Sequence, residues 1–189
     1  MPAVSTSLPV SCSAVAHQQA PGHLISTRSG RLTVTRPASE AHYEAMNRMH
    51  ARSSLESRFS RYQAARRMLR PSEWTSLIRP ERGLSWVTHP VGSPNLVIAT
   101  THLLRAGDRT GELALLVEDA WQNVGLGRGL TRYVLAQASV LGLQSVLVRT
   151  ERSNSRMLAI CRILGAYTAH HDEHGTDVDL ILPSRDLTV

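Results

Sequence analysis

This chain of 189 residues contains no lysine, and it contains 21 arginines. A compositional bias inherited from the genome accounts for this absence without any functional cause. The absence nevertheless excludes every site whose chemistry depends on a lysine amine. It removes the P-loop lysine, a Schiff-base lysine and the ATP-binding lysine of a protein kinase.

Cysteine, aromatic side chains and long apolar runs are also scarce. Cys12 and Cys161 provide neither a disulfide framework nor a four-ligand zinc site, and such sparse use of cysteine fits a reducing cytoplasm. Aromatic residues make up 4% of the chain, so we expect an aliphatic core. No apolar run approaches the roughly 20 residues that cross a bilayer. The sequence therefore predicts a cytoplasmic protein with no membrane span.

The first 28 residues differ from the remainder. They carry no basic residue before Arg28, and Pro9 interrupts their mildly apolar run, which makes them a poor secretory signal. We expect residues 1–28 to form a loosely ordered arm. Residues 29–189 are long enough to bury a full core, and they predict a single domain.

The pattern of apolar residues, caps and turns in the domain predicts a mixed α/β fold. Strand signals alternate with two-residue periodicity, and helix signals repeat at three- and four-residue steps. The predicted order is a strand (31–36), two helices (38–54, 55–69), three antiparallel strands (83–90, 96–105, 112–119), a helix (125–141), a strand (144–150), a helix (153–164) and a final hairpin (166–183). This order favours a mostly antiparallel central sheet with helices on both faces.

The stretch LVEDAWQNVGLGRGL, residues 116–130, places three glycines where a helix begins. Glycine costs roughly 0.5–1 kcal/mol relative to alanine inside a helix, so a local requirement is expected. A helix start offers unpaired N–H groups and the positive end of the helix dipole, and Gly125 and Gly127 would let a bulky anion approach them. This pattern predicts a phosphate or pyrophosphate site. The alternative is a tight turn without a ligand, and a Rossmann fingerprint is excluded because Leu130 stands where its third glycine belongs.

A family resemblance supports the anion site. The run QNVGLG, residues 122–127, resembles the Q/R-x-x-G-x-G/A signature of the GNAT superfamily of N-acyltransferases, and residues 111–166 follow that superfamily's pattern. Upstream, SSLESRFSRY, residues 53–62, resembles the GNAT domain of bacterial protein-lysine acetyltransferases. The resemblance implies the acyl-CoA N-acyltransferase fold and the transfer of an acetyl group from acetyl-CoA to an amine.

The resemblance also implies which residues bind acetyl-CoA. Backbone amides near the start of the 125–141 helix would hold the pyrophosphate, with the preceding loop oriented by its glutamine. Strand 112–119 would splay from strand 144–150 and offer backbone groups to the pantetheine arm, and an amide near Val117 would polarise the thioester carbonyl. The implied cofactor-binding residues are Leu115, Leu116, Val117, Gln122, Asn123, Val124, Gly125, Leu126, Gly127, Arg128 and Asn154.

Glu112 is the general base that the resemblance implies, and the alternative is an exposed carboxylate at the end of a strand. Glu118 and Asp119 are expected to shape the turn, because a carboxylate beside a pyrophosphate is electrostatically unfavourable.

Cys161 stands where many superfamily members carry a tyrosine that acts as the general acid. A thiol is a weak donor, so a packing role is favoured for it, and solvent could supply the proton. Tyr167 is a reserve candidate.

Two further clusters have simpler interpretations. The run HHDEH, residues 170–174, contains metal-binding residue types but falls in a hairpin turn, so we expect no metal site there. Residues 48–82 hold nine arginines and three glutamates. A solvated helix face is the simpler interpretation, and a surface that attracts acidic proteins or CoA phosphates is the alternative. Nucleic acid is disfavoured as a partner because few aromatic residues accompany these arginines.

We therefore expect an acetyl-CoA-dependent N-acetyltransferase that works by direct attack in a ternary complex. The acceptor would be an amine, either a protein lysine or a small molecule. A non-catalytic acyl-CoA sensor is the main alternative. A nucleic-acid binder, including one that acylates an aminoacyl-tRNA, is a third possibility. We expect a monomer or a homodimer without a metal.

Overall fold

The computed structural model describes residues 22–64, 66–171 and 177–184. Eight strands in this part of the chain are β1 (His23–Ser26), β2 (Leu32–Pro37), β3 (Gly83–Pro90), β4 (Ala99–Arg105), β5 (Thr110–Val117), β6 (Ser145–Glu151), β7 (Tyr167–His171) and β8 (Asp177–Pro183). Five α-helices are α1 (Tyr43–Arg52), α2 (Leu55–Tyr62), α3 (Pro71–Leu77), α4 (Leu126–Val140) and α5 (Ser155–Ile163). Short 3₁₀ turns cover Glu40–His42, Pro80–Arg82 and Asp119–Trp121.

The strands form one sheet in the order β1-β2-β3-β4-β5-β6-β8-β7. Neighbouring strands are antiparallel except for β5 and β6, which run parallel. The parallel ladder is short, because residues 110–112 pair with residues 145–147 and the described strands pair no further. Beyond Glu112 the two strands separate, and the splay predicted between them is present.

Helices cover both faces of the sheet, so the predicted fold class is confirmed. On one face α4 buries Val134 and Leu135 against a cluster that includes Leu113 of β5. On the other face α1 and α3 pack with Leu116 of β5, and Trp74 of α3 lies in that cluster. Side chains of a strand alternate between faces, so residues 113 and 116 reach opposite layers.

Three elements correct the expectations from sequence. Residues 23–26 form β1, so the arm expected over residues 1–28 is wrong for this segment, and residues 1–21 lie outside the described residues. Strand β1 pairs with β2 and buries Ile25 against α4, an interaction with distant residues that local sequence does not reveal. Helix α3 is absent from the predicted order, and it begins at Pro71, whose fixed φ favours a helix start. Helix α2 ends at Tyr62, earlier than expected.

Two histidines are buried in the layer between the sheet and the N-terminal helices. His50 Nε2 is hydrogen-bonded to the Tyr62 hydroxyl at 2.9 Å, and His102 Nδ1 to Ser85 Oγ at 2.8 Å. Burial, together with the nearby charges of Arg61 and Arg58, lowers the pKa of His50 to about 4. Burial lowers the pKa of His102 to about 3. Both imidazoles are therefore neutral in the folded protein at pH 7.

The buried histidines predict loss of stability in mild acid. Their folded pKa values lie below the unfolded value of about 6.5, so the unfolded chain binds more protons between pH 6.5 and pH 4. The free energy of unfolding should fall across this window as the pH drops, by up to about 1.4 kcal/mol per pH unit for each histidine. Urea titrations at several pH values measure this slope. His102→Asn should make it shallower by about 1 kcal/mol per pH unit, whereas equal slopes in both proteins would contradict the prediction.

Candidate active site

Polar contacts fix the junction of α1 and α2 to the end of β5. Arg52 donates two hydrogen bonds to the Glu118 carboxylate, from Nε at 3.0 Å and from Nη2 at 2.8 Å. Asp119 accepts from the Ser54 backbone N–H at 2.7 Å and from Ser57 Oγ at 2.8 Å. Both carboxylates therefore shape the turn, as predicted, and both are already engaged by protein donors.

Gln122 connects this turn to the strand and to α2. Its Nε2 donates to Val117 O at 2.8 Å and to Ser57 Oγ at 2.9 Å. Its Oε1 is buried and has no hydrogen-bond partner among the described residues. The serines of the SSLES stretch thus position the corner after β5, a role that the sequence analysis missed because their partners lie more than 60 residues away.

A different local constraint explains the requirement for glycine at each of the three positions of the corner. Gly125 is the N-cap of α4 and has φ +88°, in the region that favours glycine. A Cβ at Gly127 would lie 3.2 Å from Ile160 Cδ1 of α5, and a Cβ at Gly129 would lie 2.7 Å from Ile25 Cγ2 of β1. The third glycine therefore permits the packing of β1, and only the first two border the space outside the helix start.

The start of α4 is an electropositive, uncapped helix end. No side chain caps it, and its first turn contains no acidic residue. Arg28 lies beside it, because its N–H donates to Val124 O at 2.8 Å and its Cγ approaches within 3.4 Å of where a Gly125 Cβ would be. Arg28 was missed because the sequence analysis assigned it to the arm, and the strand that positions it forms only by pairing with β2.

A cavity of about 450 Å³ opens at this corner, and we call it the corner cavity. Nine of the predicted cofactor residues line it: Leu115, Leu116, Val117, Gln122, Asn123, Gly125, Gly127, Arg128 and Asn154. The side chain of Leu126 is fully buried in the core, and Val124 packs against the same cluster. Only the backbone of those two residues remains available for the role predicted for them. Arg28, Ser57, Arg156 and Ile160 also line the cavity.

The free edge of β5 faces the gap that β6 leaves. The N–H of Glu118 donates to Ile98 O, on the side where β4 pairs. Successive residues of a strand direct their N–H groups to opposite edges, so the N–H of Val117 points to the other side. A main-chain donor is therefore available within the splay, at the position predicted for polarising a carbonyl.

A second cavity, of about 220 Å³, lies where β5 and β6 separate, and we call it the splay cavity. Glu112 lines it with its side chain 30% exposed, and its Oε2 lies 3.7 Å from Arg149 Nη1. Residues from the end of α2 and from β6 complete the wall. The two cavities meet, because four residues line both of them: Ser60, Leu115, Asn154 and Met157.

Cys161 and Tyr167 are not part of either cavity. Cys161 is 1% exposed within the core under α4 and α5, and burial raises the pKa of its thiol to about 11. These observations support the packing interpretation over a catalytic one. Tyr167 lies on β7 with 59% of its surface exposed.

The HHDEH run and the arginine-rich segment are the other two clusters. Residues 172–174 of the HHDEH run lie outside the described residues, so the expectation of no metal site there stays a prediction, and among the described residues no three potential metal ligands group together. Several arginines of residues 48–82 have protein partners, since Arg66 and Arg70 bind Glu73 and Arg58 donates to His50 O. Within the described ranges, no helix has both the length and the apolar character needed to span a membrane.

The close contact at Gly129 predicts that the effect of Gly129→Ala on the melting temperature changes sign when Ile25 is replaced. Gly129→Ala should lower the melting temperature, because the new methyl group displaces Ile25 at a cost of about 1–3 kcal/mol. In an Ile25→Ala background the same change should raise the melting temperature, since alanine is the better helix former by up to about 1 kcal/mol. Thermal unfolding of the four proteins tests this, and additive effects would contradict the assigned contact.

No protein-family model matches the chain, and no curated protein matches its sequence. Solved structures do match its fold. The GNAT domain of PAT from S. lividans has a TM-score of 0.77 and 20% identity, covering 86% of this chain and 96% of that one. The ribosomal-protein-S18-alanine N-acetyltransferase from Escherichia coli has a TM-score of 0.61 and 16% identity, with coverage of 80% and 93%.

Spermidine N-acetyltransferase from Vibrio cholerae, solved in complex with CoA and spermine, has a TM-score of 0.66 and 12% identity, covering 80% of this chain and 95% of that one. Three proteins, two of them named for different acceptors, thus share one architecture with this chain. The chain has the fold of GNAT domains and N-acetyltransferases, and the resemblance found in its sequence is confirmed at the level of the fold.

Proposed function

We propose that the protein transfers an acetyl group from acetyl-CoA to a primary amine by direct attack in a ternary complex. The observation that carries this proposal is the meeting of two cavities at the splay. The corner cavity has an uncapped helix start at one end, and the splay cavity contains a carboxylate. A donor and an acceptor could therefore be held at the same time, with their reacting groups near the four shared residues.

The residues of the corner cavity fit acetyl-CoA. The unpaired N–H groups at the start of α4, together with Arg28 and Arg128, suit a diphosphate. The free edge of β5 suits the amide-containing pantetheine arm, and Asn154 is one of the residues that line both cavities. When bound, acetyl-CoA would supply the activated thioester. The name of the Vibrio cholerae structure, which includes CoA, supports this choice.

The chemistry needs a neutral amine, a donor for the developing oxyanion and a route for the proton. In the proposed step the amine nitrogen bonds to the thioester carbonyl carbon and the C–S bond breaks. Glu112 accepts the amine proton, directly or through water. The N–H of Val117 stabilises the oxyanion. Water protonates the departing thiolate, because Cys161 is buried away from both cavities.

The acceptor is an amine of a protein or of a small molecule. The named structural neighbours include the GNAT domain of PAT, a ribosomal-protein alanine N-acetyltransferase and a spermidine N-acetyltransferase. The resemblance of residues 53–62 to the protein-lysine acetyltransferases favours a protein lysine as the acceptor. The chain itself has no lysine, so it cannot acetylate its own side-chain amines.

Replacing Glu112 by glutamine should separate catalysis from cofactor binding. Glu112 lines the splay cavity and not the corner cavity, so Glu112→Gln should lower kcat by about 100-fold or more, as expected for loss of a general base. The Kd for acetyl-CoA should stay unchanged. Release of free thiol with a panel of amines measures kcat, and calorimetric titration measures Kd.

Glu81→Gln is the matched control, because Glu81 is exposed and lines neither cavity. It should leave both quantities unaltered. Full activity in Glu112→Gln would place the base elsewhere. Firm binding of acetyl-CoA without thiol release for any amine would favour the acyl-CoA sensor instead.

Arg28 provides a separate test of the cofactor site. Its side chain lies over the start of α4, so Arg28→Gln should raise the Kd for CoA by about 10-fold, consistent with loss of one charge-assisted contact. Arg162→Gln on α5 is the control, since Arg162 is exposed and lines neither cavity. Calorimetry with CoA measures both variants. An unchanged Kd in Arg28→Gln would show that the phosphates bind elsewhere.

A further inference from the structure

The splay cavity carries an excess of positive charge. Two guanidinium groups line it, those of Arg61 and Arg149, and Glu112 is the one carboxylate among the described residues that do so. Arg149 contacts two carboxylates. Its Nε lies 3.4 Å from Asp179, and its Nη1 lies 3.7 Å from Glu112. The lining residues therefore carry a net charge of one positive unit, and Asp179, which does not line the cavity, offsets part of the charge of Arg149.

Arg61 is the guanidinium without an ion-pair partner among the described residues, although Glu112 attracts it at longer range. It extends from the last turn of α2 and is partly buried, with its guanidinium 4.7 Å from the Tyr62 ring centre. Its Nε is shielded from solvent and has no hydrogen-bond partner in the described ranges. Within the part of the chain that the structure describes, no carboxylate lies at ion-pair distance from it. A shielded guanidinium of this kind is costly unless an anion binds it.

Thr150 contributes a second unpartnered group to the same wall. The residue is 2% exposed, and its Oγ1 has no hydrogen-bond partner within the described chain. A buried hydroxyl without a partner is also unfavourable, and such groups call for an explanation. A hydroxyl and a guanidinium are both donors that suit the oxygens of an anion.

We propose that the acceptor is a small primary amine that also carries an anionic group, a carboxylate or a phosphate, which Arg61 and Thr150 bind while the amine faces Glu112. This inference rests on the proposed function and narrows its acceptor. The volume of about 220 Å³ suits a molecule of the size of an amino acid. The anion would neutralise the excess charge of the wall and give both unpartnered donors an acceptor.

The charge of the wall disfavours other amines. A polyamine would bring two or more positive charges into a cavity that already has an excess of one. An amine without an anion would leave Arg61 uncompensated. A site built to bind one polar group discriminates strongly against analogues that lack it, because its own buried groups then stay unpaired.

The test compares amines that differ only in the second group. Free-thiol release is followed with acetyl-CoA and α-, β- and γ-amino acids, each beside its own carboxamide and the diamine of matching length. Aminoethyl phosphate beside ethanolamine distinguishes phosphate from carboxylate. For at least one anionic amine, kcat/KM should exceed that of its uncharged partner by about 10-fold or more.

Arg61→Gln should abolish this preference. The KM for the anionic amine should rise by about 10-fold, while the KM for its carboxamide and for acetyl-CoA stay unchanged. Arg67→Gln is the matched control, since Arg67 is exposed in the same arginine-rich segment and lines neither cavity. Melting temperatures verify that each variant folds.

Thr150→Val provides a variant that keeps the shape of the buried side chain. Loss of an unpartnered hydroxyl should leave the melting temperature equal or higher, yet the KM for the anionic amine should rise. A purely structural role for Thr150 would not move that KM. Lower KM values for the carboxamide or the diamine than for the anionic amine would overturn the inference and leave the proposed function intact.

A peptide containing lysine, with or without a neighbouring glutamate, completes the panel. Equal turnover of both peptides above all small amines would overturn this inference in favour of a protein acceptor. Thiol release with none of these amines would refute the proposed function together with the inference.

Discussion

The separation of β5 from β6 after Glu112 is the constraint on which the rest of the site depends. Parallel strands normally continue their ladder, but here the ladder stops after three residue pairs. The edge of β5 beyond that point keeps main-chain groups that no neighbouring strand satisfies, and in a buried sheet such groups require another partner. Both cavities open from this gap, and the residue at which pairing ends is the proposed base. One local interruption of the sheet thus provides a free strand edge, a space and a carboxylate together.

Maintaining that gap requires the surrounding elements to be held by something other than strand pairing. The Arg52–Glu118 pair and the hydrogen bonds of Asp119 to Ser54 and Ser57 tie α2 to the end of β5. Gln122 extends the same network to the corner. These contacts join residues 52–57 to residues 117–122, so the two motifs read separately in the sequence form one structural unit. Partly buried, charge-assisted hydrogen bonds of this kind are among the stronger polar contacts available to a protein.

The sequence predicted most of the fold but less of the site. Periodicity placed α4, β3 and β6 close to their observed bounds, because long regular elements carry their own signal. It missed β1 and α3, whose stability comes from pairing with β2 and from packing of Trp74 under the sheet. The corner was recognised from Gly125 and Gly127. The requirement for glycine at position 129 comes from contact with Ile25, a residue about 100 positions away. The position of Arg28 beside the start of α4, and the lack of a hydrogen-bond partner for Arg61 Nε among the described residues, follow from tertiary contacts that local sequence patterns do not encode.

The charge of the splay cavity also bears on how a base can work there. While Glu112 is ionised it offsets one of the two guanidinium groups that line the cavity. Once it accepts the proton of the attacking amine, that compensation disappears, and two guanidinium groups, of which Arg149 keeps its contact with Asp179, share a small, partly enclosed space. Electrostatic repulsion between them would oppose the proton transfer, because the effective dielectric constant is lower there than in water. An anion supplied by the acceptor would remain through the step and keep the cavity close to neutral. The same group that selects the substrate would therefore also ease the proton transfer to Glu112.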